Sequence, residues 1–264
     1  MYKLGILGVG KMGSSILNGI IKSNLYKKEE VILYIHSIEK LESYKKEGYI
    51  VTNNCNDLFK DANIILLGIK PQMFEEVLKD AKLFDFKNKS VISIAAGLTI
   101  NYVSSFFKNA FIVRCMPNTP SQIGQGVSTL TSLDNNNHFF KEAFNIFSSI
   151  GKSYEVDEKY MDDSVVLNGS MPAYLFYFAK CFIDFGMSKG LDYNTAKELT
   201  LETMKSSCQL ALCDNQDIDT LINNVCSKGG TTIEGLNKLI DNNLKDTVFA
   251  CGEACAKRSR ELSK

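Results

Sequence analysis

Neither sign of charge is in excess in this chain: Lys+Arg and Asp+Glu stand at 30 each among 264 residues. That balance excludes the broad basic surface that draws a protein onto nucleic-acid backbones or anionic membranes, so neither is expected as a partner and any anion site has to be local. Histidine is scarce, with only His36 and His138. The eight cysteines contain no CxxC pair, only Cys251 and Cys255 fall at a helical i, i+4 spacing, and no HExxH helix accompanies them, so no metal site is expected. Reduced, mostly buried thiols are the expectation instead. The chain runs almost at once into Leu4-Gly5-Ile6-Leu7-Gly8 without a basic n-region or an apolar h-region, so no secretory signal is expected. The longest apolar segment, residues 173–187, is broken by Lys180 and Asp184, which argues against a membrane span. Together these absences point to a soluble, cytoplasmic protein.

What is present is an alternation. Short apolar runs at 3–7, 31–35, 64–69, 91–95 and 110–115 are separated by segments of helical periodicity such as 14–23 and 73–81. Buried strands alternating with helices predict a parallel sheet covered on both faces. Further strands are expected at 126–131 and 153–156, with a helix over 139–150 between them. Beyond about Asp162 only helical stretches follow. The pattern predicts an α/β dinucleotide-binding domain over 1–160 and an all-α domain over 161–264. Residues 173–187 are apolar around most of the helix circumference, so something has to cover them, most simply a second copy of the chain.

Gly8-Val9-Gly10-Lys11-Met12-Gly13 fits G-x-G-x-x-G between the first predicted strand and a helix. In that context Gly8 makes a tight turn, Gly10 lets a pyrophosphate approach the backbone, and Gly13 lets helix and strand pack closely. Phosphate then meets N–H groups at the helix N-terminus. An acid at the tip of the second strand would take the ribose 2′-hydroxyl of NAD. The chain instead has His36, Ser37 and Lys40 there, where a 2′-phosphate could be held, so NADP is the expected coenzyme, with NAD possible.

A second glycine pair lies far along the chain, in Cys226-Ser227-Lys228-Gly229-Gly230-Thr231-Thr232. Between the two stand Lys70-Pro71-Gln72, Ala96-Gly97, Met116-Pro117-Asn118-Thr119-Pro120 and Asn168-Gly169-Ser170-Met171-Pro172, and Gly235-Leu236 and Lys257-Arg258-Ser259-Arg260-Glu261-Leu262 follow. In these residues the chain resembles the pyrroline-5-carboxylate reductase family over nearly its whole length. The resemblance implies a Rossmann domain followed by a helical dimerisation domain that intertwines with a partner chain, in a homodimer or a ring of dimers. It implies hydride transfer from NAD(P)H to the C=N bond of 1-pyrroline-5-carboxylate, giving L-proline in the final step of proline biosynthesis. It assigns the coenzyme to Gly8, Gly10, Lys11, Met12, Gly13, His36, Ser37, Lys40, Lys70, Pro71, Ala96, Gly97 and Asn118. The substrate carboxylate falls to Ser227, Gly229, Gly230 and Thr231, and Thr232 is the expected catalytic contact to the ring nitrogen. Gly229 and Gly230 can expose successive N–H groups there, at the positive end of the helix that begins near Thr231.

The family pattern is broken at Met171, where the family has Gly, at Lys228, where it has Pro, and over Ser206-Ser207-Cys208, where it has Gly-Ala-Ala. Met171 and Lys228 motivate an alternative, a reductase of a related cyclic imino acid. A nucleotide-binding paralogue with a regulatory role is the other alternative.

Overall fold

In the computed structural model of the chain, which describes residues 1–262, the alternating half folds into one eight-stranded sheet. The strands are β1 (Tyr2–Leu7), β2 (Val31–Tyr34), β3 (Ile50–Thr52), β4 (Ala62–Leu67), β5 (Ser90–Ser93), β6 (Phe111–Met116), β7 (Gly126–Ser132) and β8 (Gly151–Glu155), in the order β3-β2-β1-β4-β5-β6-β7-β8. All neighbours are parallel except β6 and β7, which pair antiparallel, Cys115 opposite Leu130. The alternation predicts a parallel sheet, and the sheet is parallel through β6. The connection between β6 and β7 holds only a 3₁₀ turn, Thr119–Ile123, and a parallel return needs a crossover of about a dozen residues or more. β3 also escapes the periodicity, because it has three residues and none of them is fully buried.

Strands β1, β2, β4, β5 and β6 each feed two cores. Leu4 and Ile6 of β1, Ile64 and Leu66 of β4 and Ile92 of β5 face one side, packed with Ile16, Leu17 and Ile20 of α1 (Lys11–Lys22) and Phe140, Ala143 and Phe147 of α6 (His138–Ser148). Leu7, Ile65, Leu67 and Val91 face the other, packed with Leu58 and Phe59 of α3 (Cys55–Asp61), Phe74 of α4 (Phe74–Val77) and Val103 of α5 (Ile100–Ser104). This two-sided burial explains why the strands read as unbroken apolar runs. The helix expected over 73–81 is broken: α4 stops at Val77, and 3₁₀ turns flank it. Phe74, Leu78 and Ala81, whose spacing suggested one helix, are nonetheless all buried. α2 (Ile38–Lys46) follows β2.

After β8 every regular element among the described residues is helical: α7 (Met161–Leu167), α8 (Met171–Ser188), α9 (Tyr193–Cys213), α10 (Ile218–Val225), α11 (Thr231–Asp241) and α12 (Leu244–Leu262). The chain forms two compact units. The first is Met1–Pro172 together with residues 255–262, and the second is Ala173–Ala254. The strand-to-helix change near Tyr160 thus precedes the end of the first unit, because α7 packs on β7 and Met161 and Val165 bury against Met116. In the second unit an apolar trough of about 770 Å³ runs between α8 and α9, lined by Phe176, Phe178, Phe182, Leu199 and Met204. Among the described residues no helix is long and apolar enough to cross a membrane.

Candidate active site

At the carboxyl end of β1, Gly8 takes φ +101°, and a Cβ there would stand 3.0 Å from the backbone of Gly68. Gly68 N–H donates to the Leu7 carbonyl at 2.8 Å, so the β1 and β4 turns are held together. Gly13 backs directly onto the Gly8 carbonyl, which leaves no room for a side chain. Gly10 is different. Nothing lies within 4 Å of the place its Cβ would take, it is exposed, and it is the N-cap of α1 with no side chain capping the helix. No acidic residue stands in the first turn of α1, so the positive helix end faces open space. These residues fit a pyrophosphate. Lys11 is exposed beside the turn, whereas Met12 packs against the core.

The neighbouring strand ends are level with this turn: Leu7 pairs with Tyr34 and with Leu67, and Leu67 with Ser93. At the end of β2, His36, Ser37 and Lys40 are all exposed, and Ser37 Oγ caps α2 by accepting the Lys40 N–H at 3.5 Å. After β4, Lys70 is exposed and is the N-cap of the 3₁₀ turn led by Pro71. After β5, Ala96 packs against Met116, Met161 and Val165. Gly97, at φ +78°, lies under the last turn of α12. The structure thus brings the expected coenzyme residues from β1, β2, β4 and β5 to one sheet edge, where the strand order reverses between β1 and β4.

Asn118 is engaged elsewhere. It is 7% exposed, its Oδ1 accepts the Val127 N–H at 2.9 Å, and its Nδ2 donates to the Asn168 carbonyl at 3.3 Å. Its side chain is therefore a structural tie, and any contact it makes to a coenzyme falls to its backbone. Asn168 itself was quoted in the sequence motif without a role. Arg114 was missed too, although an arginine inside the apolar strand Phe-Ile-Val-Arg-Cys-Met is a signal in itself, because a buried charge has to be paired. It is 2% exposed, with Nη2 2.7 Å from Asp162 Oδ1 and Nη1 3.7 Å from Glu158 Oε1. The adjacent Cys115 thiol is fully enclosed, and burial pushes its pKa well up.

The second glycine turn belongs to the second unit. Gly229 takes φ +73°, while Gly230 is extended at φ −79° and is the N-cap of α11, again with no side chain on the helix end. Gly230 N–H donates to the Ser227 carbonyl at 3.0 Å, and a Cβ at Gly230 would run into Ser227 Oγ. The expected pair of free glycine N–H groups is therefore corrected. Gly230 closes the turn, and the donors on offer are those of the first turn of α11. Ser227, Lys228, Thr231 and Thr232 are exposed around it. Thr232 also borders a cavity of about 500 Å³, beside Leu210, Ile222, Cys226 and Leu236. His138 lies far from both turns in sequence, at the start of α6 against the Phe139 ring.

Comparison with known proteins adds the following. Residues 158–262 match the profile of pyrroline-5-carboxylate reductase dimerisation, and residues 3–97 match that of NADP oxidoreductase, coenzyme F420-dependent. The chain is 33% identical to the crystal structure of a Plasmodium falciparum pyrroline carboxylate reductase with NADP bound, with a TM-score of 0.90 over 99% of this chain and 98% of that one. The 1-pyrroline-5-carboxylate reductase of Streptococcus pyogenes gives 30% identity and a TM-score of 0.88, covering 98% of each chain. Pyrroline-5-carboxylate reductase 2 of Bacillus subtilis is 31% identical over 99% of this chain and 95% of its own length.

Proposed function

Because the chain belongs to the pyrroline-5-carboxylate reductase family, we propose that it reduces the C=N bond of 1-pyrroline-5-carboxylate to give L-proline, the final step of proline biosynthesis, with NADPH as the coenzyme and NADH as the weaker alternative. The observation that carries this reading is a shared geometry. Two glycine turns each open a helix whose N-terminus carries no capping side chain, one at Gly10 and one at Gly230. Two uncapped helix ends suit two anions, a coenzyme pyrophosphate and a substrate carboxylate.

When bound, the coenzyme supplies a hydride to the imine carbon. Gly8, Gly10 and Gly13 let the pyrophosphate reach the N–H groups of α1, with Lys11 beside it. His36, Ser37 and Lys40 receive the phosphate of the adenosine end. Lys70, Pro71, Ala96, Gly97 and the Asn118 backbone border the rest of the coenzyme. Ser227, Thr231 and the N–H groups of the first turn of α11 fix the carboxylate, with Gly229 and Gly230 shaping the turn, and so set the orientation of the ring. The Thr232 hydroxyl meets the ring nitrogen. No separate acid is required, since an imine that arrives protonated is already electrophilic, and positioning supplies most of the remaining advantage.

The active form is a homodimer or a ring of dimers. Its support is the exposure of Phe176, Tyr177, Phe185 and Phe249, an apolar face that one chain alone leaves in water. A cytoplasmic location agrees with eight cysteines that are all unpaired. A second reading, reduction of a related six-membered imino acid, is motivated by Met171 at the start of α8 and Lys228 at the glycine turn. Steady-state kinetics on both rings separate them. A higher kcat/KM on the five-membered ring supports the first reading, and a higher value on the six-membered ring replaces it with the second.

A further inference from the structure

The last turn of α12 sits on the loop that follows β5. Gly97 lies so close beneath it that a Cβ would stand 2.7 Å from the Ser259 carbonyl oxygen and 2.9 Å from Leu262 Cβ. Ser259 is 4% exposed, and its hydroxyl donates to Asp162 Oδ1 at 2.7 Å. That same oxygen accepts from Arg114 Nη2 at 2.7 Å. Glu158 makes a further tie, because its Oε1 lies 3.7 Å from Arg114 Nη1 and accepts the backbone N–H of Ile100 at 2.7 Å. The loop is therefore gripped twice, at Gly97 by α12 and at Ile100 by Glu158. Both grips lead back to one buried guanidinium.

Helix ends ordinarily fray, and a loop at the carboxyl edge of a sheet ordinarily moves. A hydroxyl at that end, buried and bonded to a carboxylate that is itself paired, opposes both tendencies. The arrangement also has an internal control. In the same turn Arg260 Nη1 pairs with Asp163 Oδ1 at 2.6 Å, but both side chains are about half exposed, and exposed pairs of this kind contribute little.

We propose that Ser259 is a positioning residue for the coenzyme: through Asp162 and Arg114 it seats the last turn of α12 on Gly97, and that turn holds the Ala96-Gly97 peptide in the conformation that borders the coenzyme. The proposal rests on the reading of the chain as an NADPH-dependent reductase. It makes the last turn of α12 a support of the coenzyme site without touching the coenzyme.

The test uses the full chain in three variants: Ser259→Ala, Gly97→Ala and the control Arg260→Ala. Amide hydrogen exchange over residues 96–100 is followed in the coenzyme-free protein, and NADPH affinity is measured by coenzyme fluorescence without substrate. Ser259→Ala is expected to speed exchange at Gly97 and Ile100 and to raise the Kd for NADPH about threefold to tenfold, the effect of one hydrogen bond. Turnover at saturating NADPH stays at the parent value. Gly97→Ala, which forces the loop against α12 from the other side, also speeds exchange and raises the Kd, and Arg260→Ala changes neither reading. Parent exchange rates and parent Kd in Ser259→Ala would overturn the proposal, as would an equal effect in Arg260→Ala. A parent chain that fails to bind NADPH sinks the functional reading instead, while the exchange comparison still decides whether α12 holds the loop.

Discussion

Asn118 and Asn168 clasp each other inside the first unit. Asn118 donates to the Asn168 carbonyl at 3.3 Å, and Asn168 Nδ2 donates to the Met116 carbonyl at 2.7 Å while its Oδ1 accepts the Gly169 N–H at 2.6 Å. The pair fastens the turn after β6 to the turn before α8, and Gly169 then rests on the Met116 side chain. Asn168→Leu removes a buried donor to the Met116 carbonyl and a part-buried acceptor of the Gly169 N–H, at a cost of about 1–3 kcal/mol. The unfolding midpoint should fall by roughly 5 °C or more, as read by circular dichroism. An unchanged midpoint would mean that the clasp is not a structural tie.

Gly10 and Gly13 look alike in the motif and differ in the structure, so their substitutions should separate. Gly10→Val adds its side chain to open space, keeps the parent midpoint to within about 0.5 kcal/mol of stability, and abolishes NADPH binding. Gly13→Ala drives a methyl into the Gly8 carbonyl and lowers the midpoint. Equilibrium binding and thermal melts on both variants check this. Normal NADPH affinity in Gly10→Val would show that the turn holds no pyrophosphate.

No carboxylate stands at the tip of β2, where His36, Ser37 and Lys40 are exposed. The parent protein should therefore show a higher kcat/KM with NADPH than with NADH, and His36→Ala or Lys40→Ala should narrow the difference. Equal values in the parent protein would contradict the assignment.

Thr232 is exposed at the first turn of α11, so Thr232→Ala should cost little stability. Its effect should fall on the imine, with kcat/KM lowered about threefold to tenfold for one lost hydrogen bond while the Kd for NADPH stays at the parent value. Gly230→Val is the harsher change, because the new side chain meets Ser227 and opens the turn. A Thr232→Ala variant with the parent kcat/KM places the ring nitrogen elsewhere.

Much of the fold was legible because two-sided burial writes itself into sequence as apolar runs such as Ile64-Ile65-Leu66-Leu67, and because the phosphate turn needs glycine for reasons of space. β3 was not legible, since three partly exposed residues carry no period. The reversal of β7 was not either, because direction is set by the length of the connection rather than by the strands. His36, Ser37 and Thr232 could be singled out as candidates because they are exposed polar positions that nothing in the core demands. Arg114, Asp162 and Ser259 could not be joined in that way. They lie far apart along the chain, and only the packing of α7 and α12 on the sheet brings one hydroxyl and one guanidinium to the same carboxylate oxygen.

The central claim is that the two uncapped helix ends serve one reduction, and the loss of NADPH absorbance in the presence of 1-pyrroline-5-carboxylate, with the product identified chromatographically, tests it most directly. The account predicts oxidation that depends on both the protein and the imine, with one L-proline formed per NADPH consumed. NADPH binding without any turnover of the five-membered imine would contradict it.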